Sequence, residues 1–352
     1  MSRCLVMLLV VMLGTCAARA QSAAGAATSP ASAGANDASS AQAHAMELLE
    51  HGKSAEAIAS LEAMANAHPD QKGVQHDLGL AYYRTGKLVD ARKAFERAIA
   101  ADPKDLESVQ LEGLTLYRLG QPAAAIPYLQ RVREFSPNAN ADANHVLGLC
   151  YLNSRKFDEA REAFAAEYAL QPESGAAHLV LAKMMMAANL PDQGAVEAEK
   201  ALTVSPRLAL AHFVLGEVAL YKSDVDRAIK EFQAERAVNP GYAPVYERLG
   251  DAYLRSNKID AAEEALMQSL ALDTTSTGPF ILMGKVLLRK NDPENAALYL
   301  KHAEKMDPSS YIAHTLLGQA YRSLGQEAQA KEEFATAESI HAANQLKLQP
   351  VQ

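Results

Sequence analysis

The 352-residue chain predicts an all-α fold: a tandem array of antiparallel helical hairpins stacked into a curved solenoid. Three periodic observations carry that prediction. Glycines at 79, 113, 148, 216, 250, 284 and 318 are spaced by 34 or 35 residues with one double gap, which Ala182 fills, and Ala45 stands one period before the first. Twelve residues after each of these nine anchors the residue is small, and sixteen after it is large and apolar except at Ala198. Twenty-four after, a proline ends seven of the first eight units (Pro69, Pro103, Pro137, Pro172, Pro206, Pro240, Pro308), and Thr274 takes its place in the other.

The elements follow in chain order. Residues 1–20 begin with Arg3, continue through an apolar run from Cys4 to Leu13, and end in Ala18-Arg19-Ala20, the charged, apolar and small-residue order of a secretory signal peptide. Cleavage is expected between Ala20 and Gln21. The apolar run is too short to span a bilayer, so no membrane span is expected. An alternative processing route is lipidation of Cys16, because Leu13-Gly14-Thr15-Cys16 resembles the signal of bacterial lipoproteins, although Thr15 replaces the usual small residue. Residues 21–40 are Ala, Ser and Gly with no apolar period and read as a disordered linker. Residues 41–343 hold the repeats and 344–352 a short tail.

Within a repeat, the residues just before and three after the anchor are apolar in most units, a four-residue step that defines one helical stripe. The small and large rows, also four apart, define a second helix. Polar turns such as Thr85-Gly86-Lys87 separate the two, and the proline lacks the donor needed to continue the second helix. The glycine of the first helix is expected to let the backbones approach at the alanine row, with large side chains filling the remaining space. The fifth unit departs from the pattern: Ala182, Gly194 and Ala198 replace Gly, Ala and the large residue, and Met184-Met185-Met186 is added. Looser packing is expected there, as a compensated core or as an adaptable binding surface. The single extra residue of the array is expected between Asn138 and Ala141.

These positions resemble the tetratricopeptide repeat (TPR), and Leu78, Gly79, Tyr82, Ala91, Phe95, Ala98 and Pro103 reproduce its pattern almost fully. The resemblance implies a right-handed α-solenoid of about nine TPR hairpins whose first helices line a concave groove. It also implies that residues three before, one after and four or five after each anchor face that groove. Among them Tyr83, Arg84, Tyr117, Arg118, Phe213, Tyr221, Arg255, Arg289 and Arg322 form a row of guanidinium groups and large side chains. Such a row suits an extended peptide carrying carboxylates. The competing assignment is that an arginine five after the anchor caps its own helix end. The paired Lys and Asn of chaperone-tail clamps are absent from these positions.

Charge and chemistry narrow the function. A net charge of -8 lacks the basic footprint of a nucleic-acid binder. No phosphate-binding loop, metal-protease, Cys-x-x-Cys or nucleophile-elbow motif occurs, so no catalytic residue, metal site or cofactor is expected. His178, His212 and His314 each lie four before an anchor, about 10 Å from helix to helix, too far to share a metal, and read as partly buried packing residues. Cys150, the only cysteine beyond the signal segment, reads as a small core residue. The expected function is a non-catalytic scaffold for protein or peptide partners, periplasmic or secreted. The alternative is a lipid-anchored structural subunit of an envelope assembly such as a pilus, secretion or polysaccharide-export machine, at the outer membrane.

Overall fold

The computed structural model describes residues 30–135 and 141–347. Cys16, Ala20 and Gln21 lie outside the described residues, as does most of the turn expected to hold the extra residue. Among the described residues there are 18 helices and no strand. The chain divides at Gly86 into two units.

The N-terminal unit contains α1 (Pro30–Glu50), α2 (Ser54–Ala67) and α3 (Val74–Arg84). Helix α1 begins inside the stretch expected to be a linker, and it extends a nucleated helix through Ala and Ser, which costs little once the first turn exists. Ala45, Leu49, Ala57, Leu61, Val74 and Leu78 form its buried interior. A polar link ties its elements together: Gln71 Nε2 donates to Gln42 Oε1 at 3.0 Å, and Gln42 Nε2 to Asp77 Oδ2 at 2.6 Å.

The C-terminal unit opens with α4 (Leu88–Ala101). Seven hairpins follow: α5 (Leu106–Arg118) with α6 (Pro122–Phe135), α7 (Ala141–Asn153) with α8 (Phe157–Glu167), α9 (Gly175–Ala187) with α10 (Pro191–Val204), and α11 (Ala211–Tyr221) with α12 (Val225–Val238). The last three are α13 (Ala243–Arg255) with α14 (Ile259–Leu272), α15 (Thr277–Arg289) with α16 (Pro293–Met306), and α17 (Tyr311–Ser323) with α18 (Glu327–Lys347). Each second helix also packs on the first helix of the next hairpin, so burial is shared between neighbours as in a solenoid.

The large side chains fill the space as expected, but the anchor glycines face that large row and not the alanine row. A Cβ on Gly216 would stand 2.4 Å from the Phe232 ring, and one on Gly284 equally close to Leu300. In the fifth hairpin the roles are exchanged without loosening. Ala182 and Ala198 are fully buried, and a Cβ on Gly194 would lie 3.1 Å from the Ala182 carbonyl, so here the second helix makes the close approach. Met185 is buried, and Met184 and Met186 pack half-buried against the core.

A further periodic feature closes every hairpin. The residue seven after each anchor has a left-handed backbone: Gly52, Gly86, Gly120 and Gly325, and also Arg155, Asn189, Ser223, Asn257 and Asn291. The following amide then bonds back to the helix, as Leu190 N does to Met185 O at 2.8 Å, which satisfies carbonyls that the helix end leaves open.

Candidate functional site

In the C-terminal unit four of the six successive pairs of first helices pack directly: α5 with α7, α9 with α11, α13 with α15, and α15 with α17. No successive pair of second helices packs to a comparable extent. A stack that is tighter on one side curves toward that side, so the first helices form its inner face.

The inner face has a half-buried apolar part and a charged part. On α5, α7 and α9, Leu114, Tyr117, Leu149 and Met186 rest against the core. Burial, with the Cys150 thiol nearby, raises the Tyr117 phenol above its ordinary pKa. Cys150 itself is fully buried, and burial pushes its thiol up to about 12, so it is an inert packing residue. On α11, α13 and α15 the same face carries Glu217, Glu247, Arg248, Asp251, Arg255, Lys285 and Arg289.

The candidate residues divide by what they touch. Tyr83 and Arg84 end α3 in the N-terminal unit, half-buried and exposed respectively. Arg118 is exposed on the last turn of α5, and Tyr221 at the end of α11 is 63% exposed. Phe213 turns inward, edge-on to Tyr242 at 5.3 Å and 5.6 Å from Phe232. Arg255 pairs with Asp251 one turn back, Nη2 to Oδ2 at 2.8 Å. Arg289 donates from Nη1 to the Leu254 carbonyl at 2.9 Å, so it caps the end of the preceding first helix and not its own. The Arg322 guanidinium lies 5.5 Å over the Phe334 ring.

Arg248 is a site residue that the repeat pattern did not single out. Its Nε lies 2.7 Å from Glu217 Oε1 and so joins α13 to α11. Three glutamates of the second helices were also missed. His178 Nδ1 lies 2.7 Å from Glu197 Oε2, His212 Nδ1 2.8 Å from Glu231, and His314 Nδ1 2.6 Å from Glu333. His178 and His314 are buried, so these histidines are cross-hairpin polar contacts and not merely packing. The signal was present: glutamate stands fifteen after the anchor only in the three hairpins that have histidine four before it.

His314, Glu333 and Glu304 bring three ligand atoms within 4.8 Å of one another. The imidazole is already engaged on both sides, because Nε2 also lies 3.1 Å from the Pro308 carbonyl. Burial opposes a charge on the ring, but the bonds to Glu333 and Pro308, aided by Glu304, outweigh it and raise its pKa. A ring holding both protons offers no lone pair to a metal.

Stacked helical hairpins that share burial with their neighbours define the class of α-solenoid interaction proteins. The chain belongs to the tetratricopeptide repeat family, whose model matches residues 43–105, 111–174, 145–209, 213–278 and 281–344. As a member of that family it is a protein–protein interaction scaffold. Among solved structures it is similar to MamA, at 20% identity and a TM-score of 0.43 over 46% of this chain and 95% of that one. It is also similar to YrrB, described as a TPR protein with an unusual peptide-binding site, at 19% identity and a TM-score of 0.45 over 54% and 97%. PilF of Pseudomonas aeruginosa matches at 21% identity and a TM-score of 0.46 over 55% and 88%. No curated protein matches the sequence at a significant level. Among the described residues no helix is long and apolar enough to cross a membrane.

Proposed function

We propose that the protein is a non-catalytic scaffold that binds extended segments of partner proteins along the inner face of its C-terminal unit, and that it acts in the bacterial envelope after export. The observation that carries the binding reading is a set of first-helix side chains without a hydrogen-bond or ion-pair partner among the described residues: Tyr221, Lys183 on α9 and Lys285 on α15. Side chains that stabilise nothing in their own fold, aligned on one face, are the expected form of a peptide-binding surface. The test is capture of an envelope partner by the purified chain and by a Lys183→Glu, Tyr221→Ala, Lys285→Glu variant of unchanged helicity. Capture should drop at least tenfold, and undiminished capture would refute the inner face.

Export rests on the order of residues 1–20, and the lipid-anchored alternative on Cys16 and the residues before it. The mass of the mature N-terminus separates them. A chain beginning at Gln21 supports a soluble periplasmic or secreted scaffold, and diacylglycerol on Cys16 supports the anchored envelope subunit.

A further inference from the structure

The charges of the inner face on α11, α13 and α15 fall into two groups. Arg248, Arg255 and Arg289 are spent internally, on Glu217, Asp251 and the Leu254 carbonyl. Glu247 has only the outer edge of the shared Arg248, and Lys285 has no ion pair among the described residues. The Glu247 carboxylate is pressed against the first turn of α15, where a Cβ on Gly278 would stand 2.2 Å from its Oε1. Among the described residues it accepts no hydrogen bond, and its nearest cation is the adjacent Arg248, with Nη1 at 3.9 Å. Its side chain is 20% exposed. Burial, opposed by Arg248 and reinforced by Asp251 and Glu217, raises its pKa. Lys285, on the neighbouring helix, is half-buried and has neither an ion pair nor a hydrogen bond among the described residues.

A partly desolvated carboxylate without a donor and a partly desolvated ammonium without an acceptor are each costly alone, and each is relieved by a charge brought from outside. They cannot relieve each other, because they lie beyond salt-bridge distance. Their register sets what can relieve both. The Glu247 carboxylate lies against Gly278, and Lys285 stands seven residues further along α15, a step of about 10 Å along the helix axis. With the carboxylate already on the surface of α15, the two charges are separated by about 10 Å along that helix. An extended chain covers that distance in about three or four residues.

Resting on the binding role proposed above, we infer that this part of the face takes an extended segment of a partner protein bearing a basic side chain and an acidic one three or four residues apart. The basic group docks at Glu247 and the acidic group at Lys285. The partner of the C-terminal hairpins is thus read by charge order, which sets specificity more than affinity.

The test is panning of a phage-displayed random dodecapeptide library on the full chain, followed by binding of labelled synthetic peptides. Enriched sequences should carry Lys or Arg and Asp or Glu at that spacing. Glu247→Gln and Lys285→Gln should each weaken the consensus peptide about tenfold. The double variant Glu247→Lys, Lys285→Glu should lose that peptide and gain one with its two charges exchanged. This gain cannot come from misfolding. Enriched peptides without the charge pair, or affinities unmoved by these variants, overturn the charge order and leave the binding face standing. Absence of any enriched peptide overturns both.

Discussion

Two glutamates in the C-terminal unit are equally buried and have opposite consequences. Glu112 on α5 and Glu235 on α12 both have 0% of their surface exposed. Glu235 reaches the start of α11, where Oε1 accepts from Leu210 N at 2.7 Å and Oε2 from Phe213 N at 3.3 Å. It therefore satisfies amides that the helix N-terminus leaves open. Glu112 occupies the place before the anchor where most hairpins have Leu or Met, and neither of its oxygens has a hydrogen-bond donor. Arg92 on α4 comes no nearer than 3.9 Å. Glu96 on the same helix and Tyr128 on α6 are the other titratable groups that face it. Burial, with Glu96 adding to it and Arg92 opposing it, raises its pKa to about 7. Burial alone thus decides little; the donors at the buried site decide whether a carboxyl group holds the solenoid together or strains it.

The comparison is open to breaking at its strong side first. Glu235→Ala leaves two amides at a helix start without an acceptor and should cost about 3 kcal/mol. Urea denaturation with hydrogen exchange at α11 would show it, and a loss under 1 kcal/mol would mean that the cap is dispensable. Glu112→Leu restores the apolar residue of the other hairpins and should gain about 2 kcal/mol at pH 8.

The sign of the pH dependence is separately testable. An acid whose folded pKa is raised binds its proton more tightly when folded, so stability should fall as pH rises from about 4.5 to about 7, then level off. At about 1.4 kcal/mol per pKa unit the drop is about 3 kcal/mol, and Glu112→Leu should abolish it. His314 works in the same direction. Its raised folded pKa means that the stability it adds is fully present below its unfolded value near 6.5 and is lost as pH rises through the folded value. His314→Gln should remove that loss above pH 6.5 without touching the lower window. Denaturation midpoints from pH 4 to pH 9 for the parent and both variants separate the two.

The smallest expected effect concerns the backbone. Arg155 is exposed and holds a φ of 57°, in the row where other hairpins use Gly. Arg155→Gly should gain about 0.5–1 kcal/mol in thermal or urea unfolding, the relief of left-handed strain being partly offset by chain entropy. A destabilised variant would show that its side chain does more than tolerate the turn.

The repeat made most of the architecture legible before any coordinates. Gly216 and Phe232, or Gly284 and Leu300, are sixteen apart in sequence and in contact in space, because a short turn between two helices leaves few other ways to pair them. The left-handed row from Gly52 to Gly325 and the coupling of His178 to Glu197 were also readable, since each recurs at a constant offset from the anchor. The interior of the fifth hairpin was not, because Gly194 and Ala182 exchange roles and only their close approach shows that nothing is loosened.

The sequence by itself determined the hairpins, their order and the rows that meet inside each one, since those contacts are local and periodic. Tertiary structure alone decided which charges are used up. Arg289 and Arg255 occupy the same place in their repeats, yet one is drawn to the carbonyl end of the preceding helix and the other to a carboxylate on its own. An arginine side chain reaches several backbone and side-chain acceptors at once. Which acceptor wins depends on the spacing and rotation of neighbouring helices, and no periodicity encodes these.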